Sequence, residues 1–220
     1  MITYQKEKKC KLHVLDAGCG DGMHILTLEN HPEITQNGSE ILGLDLSLEA
    51  LNVARSRSQK QHGFVQGDVS KLPFKSESFE VVISYGVLAY TPNPGESFES
   101  LTRVLKSGGL IGIWVYPKRT GVGGFVFNTI RGFCRLTGKG GTNFIANLIV
   151  PFLGLLPTTS RLSLKNASWK QCREIVKVNI APEQLYFPKK EEVYKWFDDN
   201  GIELVNSEDQ DEITLWGIKK

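Results

Sequence analysis

The chain has 220 residues, 40% of them hydrophobic, and carries a formal net charge of +2. That length supports one domain with a real core, or one domain with an elaborated insertion. Cys10, Cys19, Cys134 and Cys172 lie far apart with no C-x-x-C pair, and Met1 to Lys11 is polar and basic, so no metal site, disulfide framework or secretory leader is expected and a cytoplasmic setting is the default.

In chain order, Lys11 to Asp16 reads as strand one, with Leu12, Val14 and Leu15 as its buried run, and a helix follows to about Asn30. His31 to Ser39 reads as a loop and Glu40 to Asp45 as strand two. Ser47 is a good N-cap for a helix in which Leu48, Leu51, Val53 and Ala54 keep one face apolar. Phe64-Val65 leading to Gly67-Asp68 gives a short third strand. Phe79 to Ile83 is a fourth, and its unbroken apolar run suits a strand covered on both faces. Glu96 to Leu105 is the next helix, expected to end at Ser107-Gly108-Gly109, and Leu110 to Tyr116 is strand five. After a basic segment, Pro188 to Phe197 reads as a helix closed by Asn200-Gly201. Ile202 to Val205 and Ile213 to Ile218 follow as two strands joined by an acidic turn. Strands alternating with helices imply parallel pairing with right-handed crossovers. The expectation is an α/β fold with a seven-stranded, mostly parallel sheet, helices on both faces, and an antiparallel strand from Ile213 to Ile218.

The most informative stretch is Val14-Leu-Asp-Ala-Gly-Cys-Gly-Asp-Gly22, where a strand runs into a turn with glycines at 18, 20 and 22. Glycines there let the backbone approach a ligand, and the next helix offers free N–H groups and a positive dipole end. A pyrophosphate loop usually reads G-x-G-x-x-G, with its selective acid about twenty residues downstream. Here Met23 occupies the third glycine's place and Asp16 stands before the first, which suits a cationic ligand. The loop fits a nucleoside bearing an ammonium and a sulfonium better than a dinucleotide. Nearby residues read as structural: Asp21 as a helix-start acid, Cys19 as small filling, Trp114 and Trp196 as core.

Five segments occur in order: D-A-G-C-G-D-G at 16–22, G-L-D-L-S at 43–47, G-D-V-S-K-L-P-F at 67–74, V-V-I-S-Y-G-V-L at 81–88 and L-T-R-V-L-K-S-G-G at 101–109. Over roughly Lys11 to Tyr116 and Pro188 to Lys220 the chain resembles class I S-adenosylmethionine-dependent methyltransferases, most closely the small-molecule group that includes quinone-biosynthesis methyltransferases. The resemblance implies a Rossmann-like sheet and S-adenosylmethionine as cofactor, with no metal. It implies that Asp16, Gly18 and Gly20 hold the methionine end, with Cys19 between them, and that Asp45, followed by Leu46, accepts from the ribose hydroxyls. Asp68 would accept from the adenine amino group and the Val69 amide would donate to the ring, although Asp68 also reads as a plain strand-end turn. The backbone at Ser84 and Tyr85 would line the cleft. Tyr90 stands where many relatives carry His. Relatives often have helices before strand one that close over the cofactor; either the basic segment supplies that cover here or the chain is a shortened form.

The implied activity is methyl transfer to a small or lipid-like acceptor. Tyr85, Tyr90 and Tyr116 are catalytic candidates by location alone, and His13, His24, His31 and His62 receive no chemical role. The alternative is a non-catalytic cofactor-binding module that supports a partner enzyme. A nicotinamide-dependent oxidoreductase fits the glycine spacing poorly.

The domain, 1–220, is expected to carry an inserted cap at 117–187. Between Pro117 and Ile180 ten Lys or Arg stand against one acid, Glu174, a net of +9 that leaves −7 on the remainder. Arg119, Arg131, Arg135, Lys139 and Arg161 alternate with Phe125, Phe127, Ile130 and Phe133. The uncharged run from Phe144 to Leu156 is interrupted by Pro151 and too short to span a bilayer, where about twenty residues are needed. The segment reads as a solvated helical cap, or as a surface for an amphipathic anionic acceptor or, via 117–165, an anionic membrane; nucleic acid is not expected.

Overall fold

The computed structural model describes residues 11–30, 38–60, 62–116, 121–151, 169, 172–173, 176–177, 186–208 and 213–220. Arg119, Arg161, His31, Cys10, residues 152–156 of the uncharged run and the acidic turn at 209–212 lie outside them. The chain divides into two compact units, residues 1–117 with 186–220, and residues 118–185.

The first unit is built from β1 (His13–Ala17), α1 (Met23–Glu29), β2 (Glu40–Asp45), α2 (Leu48–Arg57), β3 (Gly63–Gln66), β4 (Phe79–Tyr85), α3 (Pro94–Val104) and β5 (Leu105–Val115). The second unit contributes α4 (Gly121–Ile149), and the first resumes with α5 (Lys190–Asp199), β6 (Ile202–Glu208) and β7 (Ile213–Lys219). The seven strands form one sheet in the order β3-β2-β1-β4-β5-β7-β6. β1 to β5 pair in parallel, and β7 runs antiparallel to both β5 and β6. This is the α/β, Rossmann-like architecture the strand–helix alternation predicts.

Local chemistry starts the helices, at Ser47 as expected and at Asn93, so that α3 begins at Pro94, two residues before the expected start at Glu96. Ser47 Oγ accepts from the Ala50 amide at 3.2 Å to open α2. Asn93 Oδ1 accepts from the Glu96 amide at 3.4 Å, and Pro94 supplies a first-turn residue whose missing N–H costs nothing. Two boundaries differ from the sequence reading. β3 ends at Gln66, so Gly67 and Asp68 lie beyond its carboxyl end rather than inside the strand. α3 ends at Val104, and Ser107-Gly108-Gly109 fall within β5, where the register slips between Phe79↔Leu105 and Val81↔Leu110. A Cβ on Gly109 would lie 2.7 Å from the Lys106 carbonyl oxygen and 3.0 Å from that of Glu80. The glycines therefore make a bulge in the strand instead of stopping the helix.

Alternating strand side chains feed two cores. Leu15, Ala17, Val82, Ile111, Ile113 and Leu215 face α3 and α5 through Phe98, Leu101, Val193 and Phe197. Val14, Ile41, Val81 and Ile83 face α1 and α2 through Ile25, Leu28 and Leu51. Helices therefore cover both faces, which explains the apolar runs Val14-Leu15 in β1 and Val81 to Ile83 in β4. Trp196 is core as expected, beside Phe98.

The second unit has a small core of its own. Gly138 (φ +60°, ψ −149°) breaks α4. Cys134 before the break and Ala146 and Val150 after it are buried in one cluster with Val176. Gly141 is required by the fold here, because a Cβ would meet Thr137 Oγ1 at 1.7 Å. Among the described residues no helix is long and apolar enough to cross a membrane.

Phe98 ties α3 to α5: it is fully buried, and its ring stacks on Phe197 with centroids 5.0 Å apart. Phe98→Ala should cost about 3–5 kcal/mol, read as a lower denaturant midpoint with an unchanged slope.

Candidate active site

The site is assembled where four parallel strands end. The chain leaves β1 at Ala17 and enters a loop in which Gly18, Gly20 and Gly22 all have positive φ, 86°, 54° and 83°. The Gly18 and Cys19 amides donate to the Leu44 carbonyl on β2, at 2.7 and 3.0 Å. The Gly18 position is also crowded, since a Cβ there would sit 2.2 Å from a methyl of Val87. Gly20 is different: nothing lies within 4 Å of where its Cβ would be. The open side of the loop is thus bare backbone, which is what close approach of a ligand requires.

Asp45, at the carboxyl end of β2, holds this loop to the next helix. Its Oδ2 accepts from the Gly20 amide at 2.8 Å and its Oδ1 from the Ser47 amide at 2.9 Å. Each oxygen keeps a second lone pair for a ligand hydroxyl. The Asp45 carbonyl accepts from the Gly67 amide at 3.0 Å, which brings Asp68 and Val69 to the same end of the sheet. Asp68 is exposed, and its Oδ1 accepts from the Ser70 amide at 2.8 Å, opening a short helical turn over Val69–Lys71. Leu46 beside Asp45 is 71% exposed.

Asp16 carries the strongest signal. It is fully buried, and neither carboxylate oxygen has a hydrogen-bond partner among the described residues. Burial, with the Asp45 charge adding to it, pushes its pKa up to about 7. A buried, partnerless acid beside a bare glycine loop is a costly arrangement, and a cation placed there would offset the cost. The same field acts on Cys19: burial first, then Asp16 and Asp45, push the thiol up to about 12. A protonated, 4% exposed thiol is packing rather than a nucleophile, in line with the sequence reading.

The remaining candidates close the far side. Ser84 is buried and its Oγ donates to the Ala17 carbonyl at 3.0 Å, so its side chain ties β4 to β1 while its backbone stays at the strand ends. Tyr85 packs edge-on against His24 and Trp216, at 5.1 and 6.2 Å between centroids. Tyr116 packs on Trp114 at 4.4 Å. A Cβ on Gly86 would lie 2.8 Å from that Trp114 ring and 3.9 Å from Tyr116, so both aromatics border the β4 turn. Trp114, expected as core, is only half-buried at this edge because it lies near the end of its strand. Tyr90 sits in a helical turn over Leu88–Tyr90, its amide donating to Val87 at 2.9 Å.

Asp21 does not start a helix; it pairs with Arg57 of α2, while α1 begins two residues later. The described histidines separate. His13 and His62 pair with Glu80 and Glu29 toward the opposite, amino-terminal ends of the strands, and only His24 reaches the candidate site. Burial lowers the His24 pKa, against the nearby Asp21, which favours the neutral ring. Val87 and His24 carried no sequence signal. One is an ordinary apolar residue and the other a lone histidine, and only the fold sets them beside Gly18 and Tyr85.

A glycine loop after the first strand, an acid ending the second, and an antiparallel β7 inserted between β5 and β6 give the sheet of the class I methyltransferase fold. Residues 15–113, just under half of the chain, match the family model described as "Methyltransferase domain". The malonyl-[acyl-carrier protein] O-methyltransferase of Pseudescherichia vulneris is 34% identical over 98 residues, covering 44% of this chain and 36% of that protein. The demethylmenaquinone methyltransferase of Lactococcus lactis subsp. lactis is 35% identical over 105 residues, covering 46% and 40%. The chain thus spans less than half the length of these relatives. An S-adenosylmethionine-dependent methyltransferase from Mesorhizobium loti shares the fold, with a TM-score of 0.59 at 14% identity over 99% of this chain and 95% of that one.

Two outcomes follow from the loop. The folded-state pKa of Asp16 lies above its ordinary 3.8, so the folded protein binds this proton more tightly than the unfolded chain. Its contribution is fully present below pH 3.8 and is lost as pH rises toward about 7. Asp16→Asn should therefore be more stable than the parent at pH 8, with the gap closing as pH falls toward 4 in paired denaturation curves. Gly18→Ala should destabilise by about 1–3 kcal/mol, and adding Val87→Ala should recover only part of it, because the strained φ remains.

Proposed function

We propose that the sheet-bearing unit binds S-adenosylmethionine at the carboxyl ends of β1 to β4 and supports transfer of its methyl group to a small or lipid-like acceptor. The observation that carries this reading is the buried Asp16 carboxylate, with no hydrogen-bond partner among the described residues, beside a loop whose Gly20 leaves open space. Asp16 would pair with the ammonium of the methionine end, and the backbone of Gly18, Cys19 and Gly20 would follow that end closely. Asp45 would accept from the ribose hydroxyls with the lone pairs its two amide contacts leave over. The exposed Leu46 offers an apolar surface beside the nucleoside. Asp68 would accept from the adenine amino group, and the Val69 amide would donate to the ring.

When bound, the cofactor supplies an activated sulfonium methyl group open to in-line displacement. Most of what the protein must add is alignment of the acceptor, which a rigid set of strand ends supplies. The backbone at Ser84 and Tyr85 would border the methyl, and Tyr85, Tyr90 and Tyr116 would be the candidates to orient an acceptor or take its proton. The inserted segment, 117–187, would select the acceptor, as long loops after strand ends do elsewhere. The named activities of the similar proteins, on malonyl-[acyl-carrier protein] and demethylmenaquinone, support an acyl or isoprenoid-bearing acceptor.

Calorimetry tests the cofactor: S-adenosylhomocysteine should bind and NAD should not, and heat from NAD alone would overturn the reading. Asp45→Ala should weaken binding by about 1–3 kcal/mol, and an unchanged affinity would remove Asp45 from the site. Because the ammonium pairs with ionised Asp16, affinity should fall as pH drops through about 7. Binding just below that pH should release a proton, seen as a heat that changes with the buffer's ionisation enthalpy, and Asp16→Asn should abolish both effects. Methyl-labelled cofactor with a host-cell extract tests the transfer, which predicts label in the organic phase for a lipid-like acceptor. Cofactor binding with no label in any phase would favour a non-catalytic module.

A further inference from the structure

The second unit carries surface chemistry that methyl transfer does not account for. Along α4, Phe125 is 74% exposed, Phe133 47% and Leu136 89%, and with Thr129 they recur at helical spacing along one face. Val126 is exposed beside them, and past the break Phe144 and Leu148 repeat the pattern one turn apart, at 66% and 55%. The opposite side is already used, since Cys134, Ala146 and Val150 pack in the unit's own core. An apolar stripe this dense on a helix with a satisfied inner face marks an interaction surface.

The charge around the stripe specifies the occupant. Residues 121–151 contain no Asp or Glu, and Arg135 and Lys139 are both exposed. At the break in α4 a cleft of about 660 Å³ is lined by Arg135, Lys139, Lys177, Thr142 and Asn143, with Cys134 and Gly138 at its wall. The Gly138 break matters here, because it ends one helix and starts another inside the cleft. The residues just past the break, Lys139, Thr142 and Asn143, line the cleft together with Arg135 and Lys177. Cations grouped in this way suit a phosphate.

We propose that the unit of residues 118–185 docks on an anionic phospholipid surface, with the stripe of Phe125, Phe133 and Leu136 set among the acyl chains and the exposed cations Arg135 and Lys139 meeting the headgroup phosphates. A lipid surface fits better than a free phosphate because the cleft alone would leave the stripe bare. Apolar burial and attraction to anionic headgroups add in such interfacial helices, and neither alone gives firm binding. The proposal does not depend on the methyl-transfer reading.

The test is co-sedimentation of the full chain with vesicles of phosphatidylglycerol and phosphatidylcholine, against phosphatidylcholine alone. The parent should pellet with the anionic vesicles at low salt, be released at high salt, and stay in solution with the zwitterionic ones. Arg135→Glu with Lys139→Glu should weaken retention at least about tenfold. Phe125→Ser with Phe133→Ser and Leu136→Ser should abolish it, and because these side chains are exposed the variant should keep the parent's circular dichroism. S-adenosylhomocysteine binding, measured on the same samples, should be unchanged in both variants, so that failure of the cofactor reading is seen separately. Three results would overturn the proposal: no retention on anionic vesicles at low salt, equal retention on both vesicle types, or millimolar inorganic phosphate binding that both variants lose without any vesicle binding by the parent. A concentration-dependent dimer that the triple serine variant abolishes, with no vesicle retention, would assign the stripe to a second copy instead.

Discussion

Two carboxylates at neighbouring strand ends, Asp16 and Asp45, set the conditions under which this domain works. Asp45 accepts from two backbone amides and fixes the glycine loop against the start of α2. Asp16, buried beside it, has no such partner among the described residues, and the Asp45 charge adds to burial in making its own charge harder to keep. The fold holds this unfavourable pair because the parallel sheet leaves no choice of position. β1 and β2 are in register from His13↔Glu40 to Ala17↔Leu44, so both acids must emerge at the same edge. Stability given up there is the usual companion of a site built to receive an opposite charge.

The rest of the first unit keeps that edge rigid. Two cores, one on each face, clamp the strands, and the loops at their carboxyl ends are held by hydrogen bonds rather than by chain length. Leu44 takes two amides from the glycine loop, Asp45 takes one from the β3 exit, and Ser84 reaches across to Ala17. A methyl transfer that depends on alignment gains from such an edge, since a small displacement of one strand end would misplace the acceptor. Cys19 illustrates the trade-off: its thiol is held protonated by burial first and then by the same two acids.

Charge is distributed between the units rather than mixed. The segment from Pro117 to Ile180 carries a net +9 and the remainder −7. The break at Gly138 lies in the cleft that Arg135 and Lys139 line.

The sequence by itself determined the sheet, the order of its elements and the loop. Apolar runs, the cap at Ser47 and glycines at alternate positions are local signals, and local signals are legible one residue at a time. It also separated Cys19 from the nucleophiles, because no base lay near it in sequence. It misjudged Ser107-Gly108-Gly109 as a helix stop, since only pairing with β4 turns those glycines into a bulge. It could not see that Asp16 has no partner, that Val87 crowds Gly18, or that His24 meets Tyr85. Those facts depend on which distant residues arrive at the same strand ends. The uncharged run from Phe144 likewise had two readings in sequence. Burial of Ala146 and Val150 and exposure of Phe144 and Leu148 are set by packing across the Gly138 break, which only the tertiary structure decides.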